Sequence, residues 1–335
     1  MSRLAIFGAG RIGQIHARNA VKLAGVDLVH IVDPIAGPSR DTLAAETGAT
    51  VSDAESVFAD TSLDGVIVAS STDTHADILI RAADAGFPVF CEKPISLDFG
   101  RVEAVAQKVS ATGVPVMLGF QRRYDASFRA VRDRIASGAA GRLEHVIMQS
   151  RDPSPPPASY VKTSGGMFRD TAIHDMDMAR FLLEEDVATV YAVGSCLISP
   201  EIGKAGDIDT LMITLTTGSG RMAQVTNCRR GPMGYDQRLE ALCSDEVLFV
   251  ENQPQSTVRI VRPEGATTAP PENYFLDRFA QAYRDEMAAF VAMIRTGAAP
   301  LATLTDGVEA QRLVEAAIIS HQTGAPVQFS PDWRP

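Results

Sequence analysis

The chain has 335 residues, more than a single hydrophobic core organises, so two domains with a ligand cleft between them are expected. With 41 acidic against 31 basic side chains its formal charge is -10, which repels phosphate backbones and anionic lipid and argues against nucleic acid or a membrane as partner. Although 45% of the residues are hydrophobic, the apolar runs are short and interrupted, so neither a signal peptide nor a transmembrane span is expected, and the scattered Cys91, Cys196, Cys228 and Cys243 read as reduced, buried thiols of a cytoplasmic protein.

In chain order, short apolar runs at Leu4 to Phe7, Leu28 to Val32, Val66 to Ala69, Val89 to Cys91 and Val114 to Leu118 alternate with helical spacings such as Ile12, Ile15 and Leu23. This rhythm predicts a doubly wound parallel sheet, a Rossmann α/β domain over residues 1–120. From 121 to 335 the rhythm changes to closely spaced runs at Leu143 to Met148, Val187 to Ile198, Leu211 to Thr217, Met222 to Cys228, Leu239 to Val250 and Val258 to Val261. These predict an open, mostly antiparallel sheet in an α+β domain, with helices over Ser127 to Ile135, Thr171 to Leu183, Tyr274 to Ile294 and Gly307 to His321. Such a sheet has a face to cover, and a subunit partner is a common cover.

Gly8-Ala9-Gly10-Arg11-Ile12-Gly13 lies between the first strand and the first helix, where a glycine fingerprint has physical meaning. Gly8 permits the tight turn, Gly10 lets the backbone approach a pyrophosphate, and Gly13 lets helix and strand pack closely. Asp33, at the end of the second strand, is placed to accept hydrogen bonds from an adenosine ribose and to repel a 2′-phosphate, which points to NAD over NADP. The same Asp33-Pro34 pair also reads as an ordinary turn.

Cys91-Glu92-Lys93-Pro94 ends a buried strand at the carboxyl edge of the sheet, where ligands of doubly wound folds bind; as residues alone, Glu92-Lys93 equally read as a solvated surface pair. Asp170 and His174 stand four residues apart, on one face of a helix. Asp170 also reads as that helix's cap, and His174 as a core histidine. His174-Asp175-Met176-Asp177 offers ligand types for a metal, but no cysteine or second histidine completes a site, and none is expected.

These segments together resemble the Gfo/Idh/MocA oxidoreductases over nearly the whole chain, through the motif Gly8 to His16, Thr72-Asp73-Thr74-His75, Glu92-Lys93-Pro94 and Gly119 to Asp125. Within that family, Arg151-Asp152-Pro153, Tyr160, Ser164-Gly165-Gly166 and Asp170 to Arg180 resemble the bacterial inositol 2-dehydrogenases. Cys243 to Glu246 departs from a glycine-containing turn usual in the family. The resemblance implies Lys93, Asp170 and His174 as the catalytic set. It implies cofactor contacts at Arg11, Ile12, Ser71, Thr72, His75, Glu92 and Lys93 beside the three glycines and Asp33, and substrate contacts at Arg123, Arg151 and Tyr235. It further implies NAD as cofactor, a small polyol as substrate and a homotetramer joined through the open sheet. The chemistry implied is oxidation of a ring secondary alcohol, myo-inositol to 2-keto-myo-inositol, with His174 or Lys93 as base. Another polyol or aldose as substrate, a catalytically silent NAD-binding sensor, and a lyase or epimerase remain open alternatives.

Overall fold

The computed structural model describes all 335 residues. The chain divides into two compact units, residues 1–124 with 281–309, and residues 125–280 with 310–335.

The first unit is built on six parallel strands, β1 (Ser2–Phe7), β2 (Val26–Val32), β3 (Thr50–Val51), β4 (Gly65–Val68), β5 (Val89–Glu92) and β6 (Val116–Gly119), in the order β3-β2-β1-β4-β5-β6. The order reverses at β1, the switch point beside which doubly wound folds bind ligands. Every residue of β4, and all but one of β1 and of β5, is buried, as strands covered on both faces must be. Crossover helices α1 (Arg11–Ala20), α2 (Pro38–Thr47), α3 (Ala54–Ala59), α4 (Thr72–Asp84) and α5 (Phe99–Thr112) join them. The two-residue β3 carries no apolar run, which is why periodicity does not reveal it.

In the second unit, α6 (Ala126–Ala136) leads into β7 (Leu143–Arg151), α7 (Ala158–Ser164), a π-helical turn Met167–Ala172 and α8 (Ile173–Leu183). Strands β8 (Val187–Ser195), β9 (Thr210–Thr217) and β10 (Met222–Cys228) follow, with α9 (Pro200–Lys204) between the first two; then come β11 (Asp236–Cys243), β12 (Val247–Val250), β13 (Arg259–Arg262), β14 (Gly265–Thr268) and α10 (Phe275–Arg278). A seven-stranded sheet runs β12-β11-β7-β10-β9-β8-β15, with β15 at Val327–Gln328. It is antiparallel except where β7 and β10 run parallel. Alternation is clean on β9, where Leu211, Ile213 and Leu215 are buried and Met212 and Thr214 face out.

Three expectations change. The apolar run Leu239 to Val250 is two strands, because Ser244 and Asp245 form a turn held against the loop at Gly141: Ser244 N–H donates to the Arg142 carbonyl at 2.9 Å. The run Val258 to Val261 leads into the separate hairpin β13–β14, which starts at Arg259. The helix expected over Tyr274 to Ile294 breaks at Phe279 into α10 and α11 (Ala280–Thr296).

The domain boundary expected at 120 falls at 124, and the segment 281–309, assigned by sequence to the second domain, belongs to the first. The reason is packing. From α11, Phe290 meets Phe90 of β5 with ring centroids 5.9 Å apart, and Arg295 donates to Ser2 Oγ and to the carbonyls of Ala24 and Gly25. The Leu118 N–H then donates to the Ala302 carbonyl at 3.0 Å, extending the sheet's edge. The chain continues through α12 (Leu304–Thr323), whose C-terminal part returns to the second unit, where Ser320 Oγ accepts from Ala192 N–H at 3.0 Å.

Candidate active site

In the first unit, the turn from β1 into α1 is shaped by what its glycines exclude. A Cβ on Gly8, whose φ is +103°, would lie 2.4 Å from the Ala69 carbonyl oxygen, and one on Gly13 would lie 2.1 Å from the Gly8 carbonyl oxygen. A Cβ on Gly10 would meet nothing within 4 Å. The floor of the loop is therefore closed by protein while the space over Gly10 is open, and the first amides of α1 have no acceptor within their helix. That is the donor set and the room that a dinucleotide pyrophosphate needs.

Asp33 follows β2 and braces this loop: its carboxylate accepts from Ala9 N–H at 2.7 Å and from Ile35 N–H at 2.9 Å. Both carboxylate oxygens thus serve the turn. Ser71 precedes α4 without capping it, and Thr72 opens that helix. His75 is buried, and its two ring nitrogens face the carbonyl oxygens of Pro94 at 2.9 Å and Ser70 at 3.0 Å. It ties the loop after β4 to the loop after β5.

Glu92 is not half of a surface pair. Its carboxylate lies 2.7 Å from Nε2 of the fully buried His16, whose ring packs on Phe90 at 4.6 Å and on Tyr283 at 5.7 Å. Lys93, next in the chain, is half-buried and joined to Pro94 by a cis peptide. Behind this motif lies Glu286 of α11, wholly buried and without a hydrogen-bond partner on either carboxyl oxygen. Burial first, and the charge of Glu92 second, push its carboxyl well above the usual range. Arg123 is also buried, donating to the Leu301 carbonyl and, at 3.0 Å, to Asp306. These bonds make it a tie within the first unit.

In the second unit, Asp170 stands inside the π-helical turn that precedes α8, and the helix begins without any side-chain cap. π-turns displace residues from α-helical register and recur at functional sites. The cap reading fails because the Asp170 carboxylate is engaged elsewhere, accepting from the Tyr160 hydroxyl at 3.2 Å and from Arg229 Nη2 at 3.3 Å. Arg229, only 4% exposed, also donates through Nη1 to Asp152 at 3.1 Å. Burial opposes its charge, but Asp170, Asp152 and Asp207 around it more than compensate. Asp207 itself accepts from Met167 N–H at 2.9 Å, and its carboxyl is pushed up by burial.

His174 lies in the first turn of α8 and is half-buried. Its sequence neighbour Asp175 accepts from Ser150 Oγ at 2.8 Å and from Asn227 Nδ2 at 2.7 Å. Arg151, at the end of β7, donates to the buried Asp236 at 2.5 Å. Tyr235 is buried beside Tyr274 and Phe279, its ring 5.7 and 6.3 Å from theirs.

Sequence reasoning missed His16, Arg229 and Glu286. His16 sits inside the glycine motif, but its partner is 76 residues away. Arg229 carries only the weak signal of an arginine directly after a strand, and Glu286 only that of an acid on the apolar stripe of a helix.

Residues 2–120 match a family model described as an oxidoreductase family with an NAD-binding Rossmann fold, and residues 128–248 match the GFO/IDH/MocA C-terminal domain. The inositol 2-dehydrogenase of Rhizobium meliloti is 42% identical over 318 residues, covering 95% of this chain and 96% of that protein. The crystal structure of a myo-inositol dehydrogenase from Corynebacterium glutamicum superposes with a TM-score of 0.94 at 40% identity, covering 99% of each chain. That of scyllo-inositol dehydrogenase from Lactobacillus casei, with NAD(H) and scyllo-inositol bound, gives 0.90 at 28% identity over 98% of this chain and 99% of that one. With a closed glycine turn, an open helix N-terminus and matches to both domains, the chain belongs to the Gfo/Idh/MocA family of NAD-binding oxidoreductases.

Proposed function

We propose that this oxidoreductase oxidises a ring secondary alcohol of a neutral cyclic polyol, converting myo-inositol to 2-keto-myo-inositol with NAD. The observation that carries the substrate class is the setting of Asp170: three carboxylates, Asp152, Asp170 and Asp207, surround the single guanidinium of Arg229. Such a surface accepts hydrogen bonds from hydroxyl groups and repels sugar acids and sugar phosphates. Relatives that act on inositols, similar over the full length, support the same class.

The bound NAD supplies the hydride acceptor. His174 takes the hydroxyl proton, since an imidazole titrates near the working pH. Protonated Lys93 donates to the same oxygen and stabilises the charge that grows there as the carbonyl forms. Asp170 accepts from a neighbouring hydroxyl and orients the ring, with Arg151 and Tyr235 bordering it. Asp33 favours NAD, because a 2′-phosphate would meet its carboxylate. Of the four free thiols only Cys91 and Cys243 are buried as expected, whereas Cys228 is half-buried and Cys196 exposed; unpaired thiols suit a reducing cytoplasm.

The test is NADH formation from NAD with myo-inositol, scyllo-inositol, chiro-inositols, glucose and xylose, beside NADP and beside Lys93→Met. Turnover of myo-inositol that falls by about 10²- to 10⁴-fold in the variant is expected. Preference for scyllo-inositol, the ligand of the Lactobacillus casei structure, would reassign the isomer and keep the chemistry. NAD binding without turnover of any polyol would overturn the reading in favour of a silent sensor.

A further inference from the structure

We propose that Arg229 is a positioning residue of the reaction, acting through Asp170, with Tyr160 as its second arm. The inference rests on the polyol reading above, in which Asp170 grips a substrate hydroxyl.

A carboxylate on a π-turn has two torsions with which to swing away from a ligand. Here both oxygens are fixed from outside the turn. Arg229, from the end of β10, donates to Oδ2 at 3.3 Å, and Tyr160, from α7, donates to Oδ1 at 3.2 Å. The donors come from separate segments, so together they set the plane of the carboxylate as well as its position. Each oxygen accepts more than one hydrogen bond, so these contacts orient the group without exhausting it.

Arg229 is itself immobilised. Its backbone N–H donates to the Asp209 carbonyl at 2.9 Å, and its side chain is buried with Nη1 on Asp152. Asp152 is pinned in turn, its N–H donating to the Cys228 carbonyl at 2.9 Å. The guanidinium fork thus spans the end of β7 and the π-turn, and holds two carboxylates apart at a set distance. Lysine keeps the charge but lacks the planar fork, so it cannot reproduce that span. Tyr160 is the exposed end of the device. It remains a neutral donor, because its surroundings and the adjacent Asp170 charge both push its ionisation upward.

The experiment measures kcat/KM for the polyol that the wild-type enzyme oxidises, and separately the dissociation constant of NAD, in Arg229→Lys, Arg229→Gln, Tyr160→Phe, Asp170→Asn and the pair Arg229→Gln with Asp170→Asn. Loss of a hydrogen bond to a charged group corresponds to about a 10- to 100-fold fall in kcat/KM for either Arg229 variant. Tyr160→Phe, a change at a half-exposed ring, is expected to cost roughly 3- to 10-fold. NAD affinity should stay within about twofold of wild type throughout. The decisive readout is the pair: in the Asp170→Asn background, Arg229→Gln should cost little more, because its route to the substrate is already cut.

Full additivity of the two substitutions, or wild-type kcat/KM in both Arg229→Lys and Tyr160→Phe, overturns the inference. Should Arg229→Gln fail to fold, Tyr160→Phe and its pair with Asp170→Asn decide the question by the same comparison. A wild-type enzyme inert toward every polyol overturns the polyol reading and this inference with it, whereas an active wild type beside unaffected variants overturns this inference alone.

Discussion

Glu286 is the residue whose chemistry is least like that of its type. Ordinary glutamates ionise near 4.5, but this one is sealed in the first unit behind Glu92, with no donor for either oxygen. Burial disfavours its charged form, so the folded chain holds the proton to a higher pH than the unfolded chain does. The sign follows from proton counting: above the unfolded value the folded state binds more protons, so the stability from this group is complete below that value and declines as pH rises through the folded one. Glu286→Gln removes the titrating group and keeps the shape. The difference in urea midpoint between variant and wild type should grow in the variant's favour from about pH 5 to about pH 8, and a difference that stays constant with pH would show that Glu286 is ionised in the fold. None of this is legible in the sequence, where Glu286 is one acid among many on a helix. Lys93, Asp170 and His174 are legible, because they stand in motifs, yet the partners that set them in place are not. Glu92 meets His16 across 76 residues and Asp170 meets Arg229 across 59, and one-dimensional spacing carries no trace of either.

At the scale of an element, the turn from β1 to α1 separates two kinds of glycine that a motif treats alike. Gly13→Ala places a methyl 2.1 Å from the Gly8 carbonyl oxygen, a backbone atom that cannot yield without moving strand or helix. It should lower stability by about 2 kcal/mol or more, with NAD binding lost as the helix shifts. Gly10 is different. Its φ of -68° suits any residue, and nothing in the protein approaches an added Cβ. Gly10→Ala should therefore melt like wild type and still bind NAD at least about tenfold more weakly, because the methyl occupies the space the pyrophosphate needs. Equal losses of melting temperature in the two variants would refute the distinction. Five strands of the six-stranded parallel sheet are readable because buried strands and crossover helices have different periods, and the two exposed residues of β3 carry no such signal. The π-turn at Met167–Ala172 is not: its sequence continues the helical pattern of α8, and the register change comes from tertiary bonds such as Asp207 to Met167 N–H. The break at Phe279 has a similar origin. That ring is buried against Tyr235 and under the Arg278 guanidinium, 4.7 Å from its centroid, so packing overrides a helical sequence.

The whole molecule poses the question of what covers the outer face of the seven-stranded sheet. The face opposite α8 carries Tyr191 and Val193 from β8, Met212 from β9, Met222 from β10 and Phe249 from β12, with Val193 and Met212 each 54% exposed and paired across neighbouring strands. The other face of the same strands is closed, as Val190, Ala192, Ile213 and Leu215 show. An apolar face of this kind on a sheet is the mark of an interface, and we propose that a second copy of the chain covers it, as part of a homotetramer. The alternation is plain in the sequence, whereas the number of copies is a matter of closure that no strand pattern encodes. Val193→Asp together with Met212→Asp puts two like charges side by side on that face, which an interface excludes and water accepts. Light scattering after size exclusion should show the wild type as a tetramer and the double variant as a smaller species, with far-ultraviolet dichroism unchanged because both side chains already face outward. A wild type that elutes as a monomer, or a double variant that remains tetrameric, would mean that this face is covered by something other than a second copy.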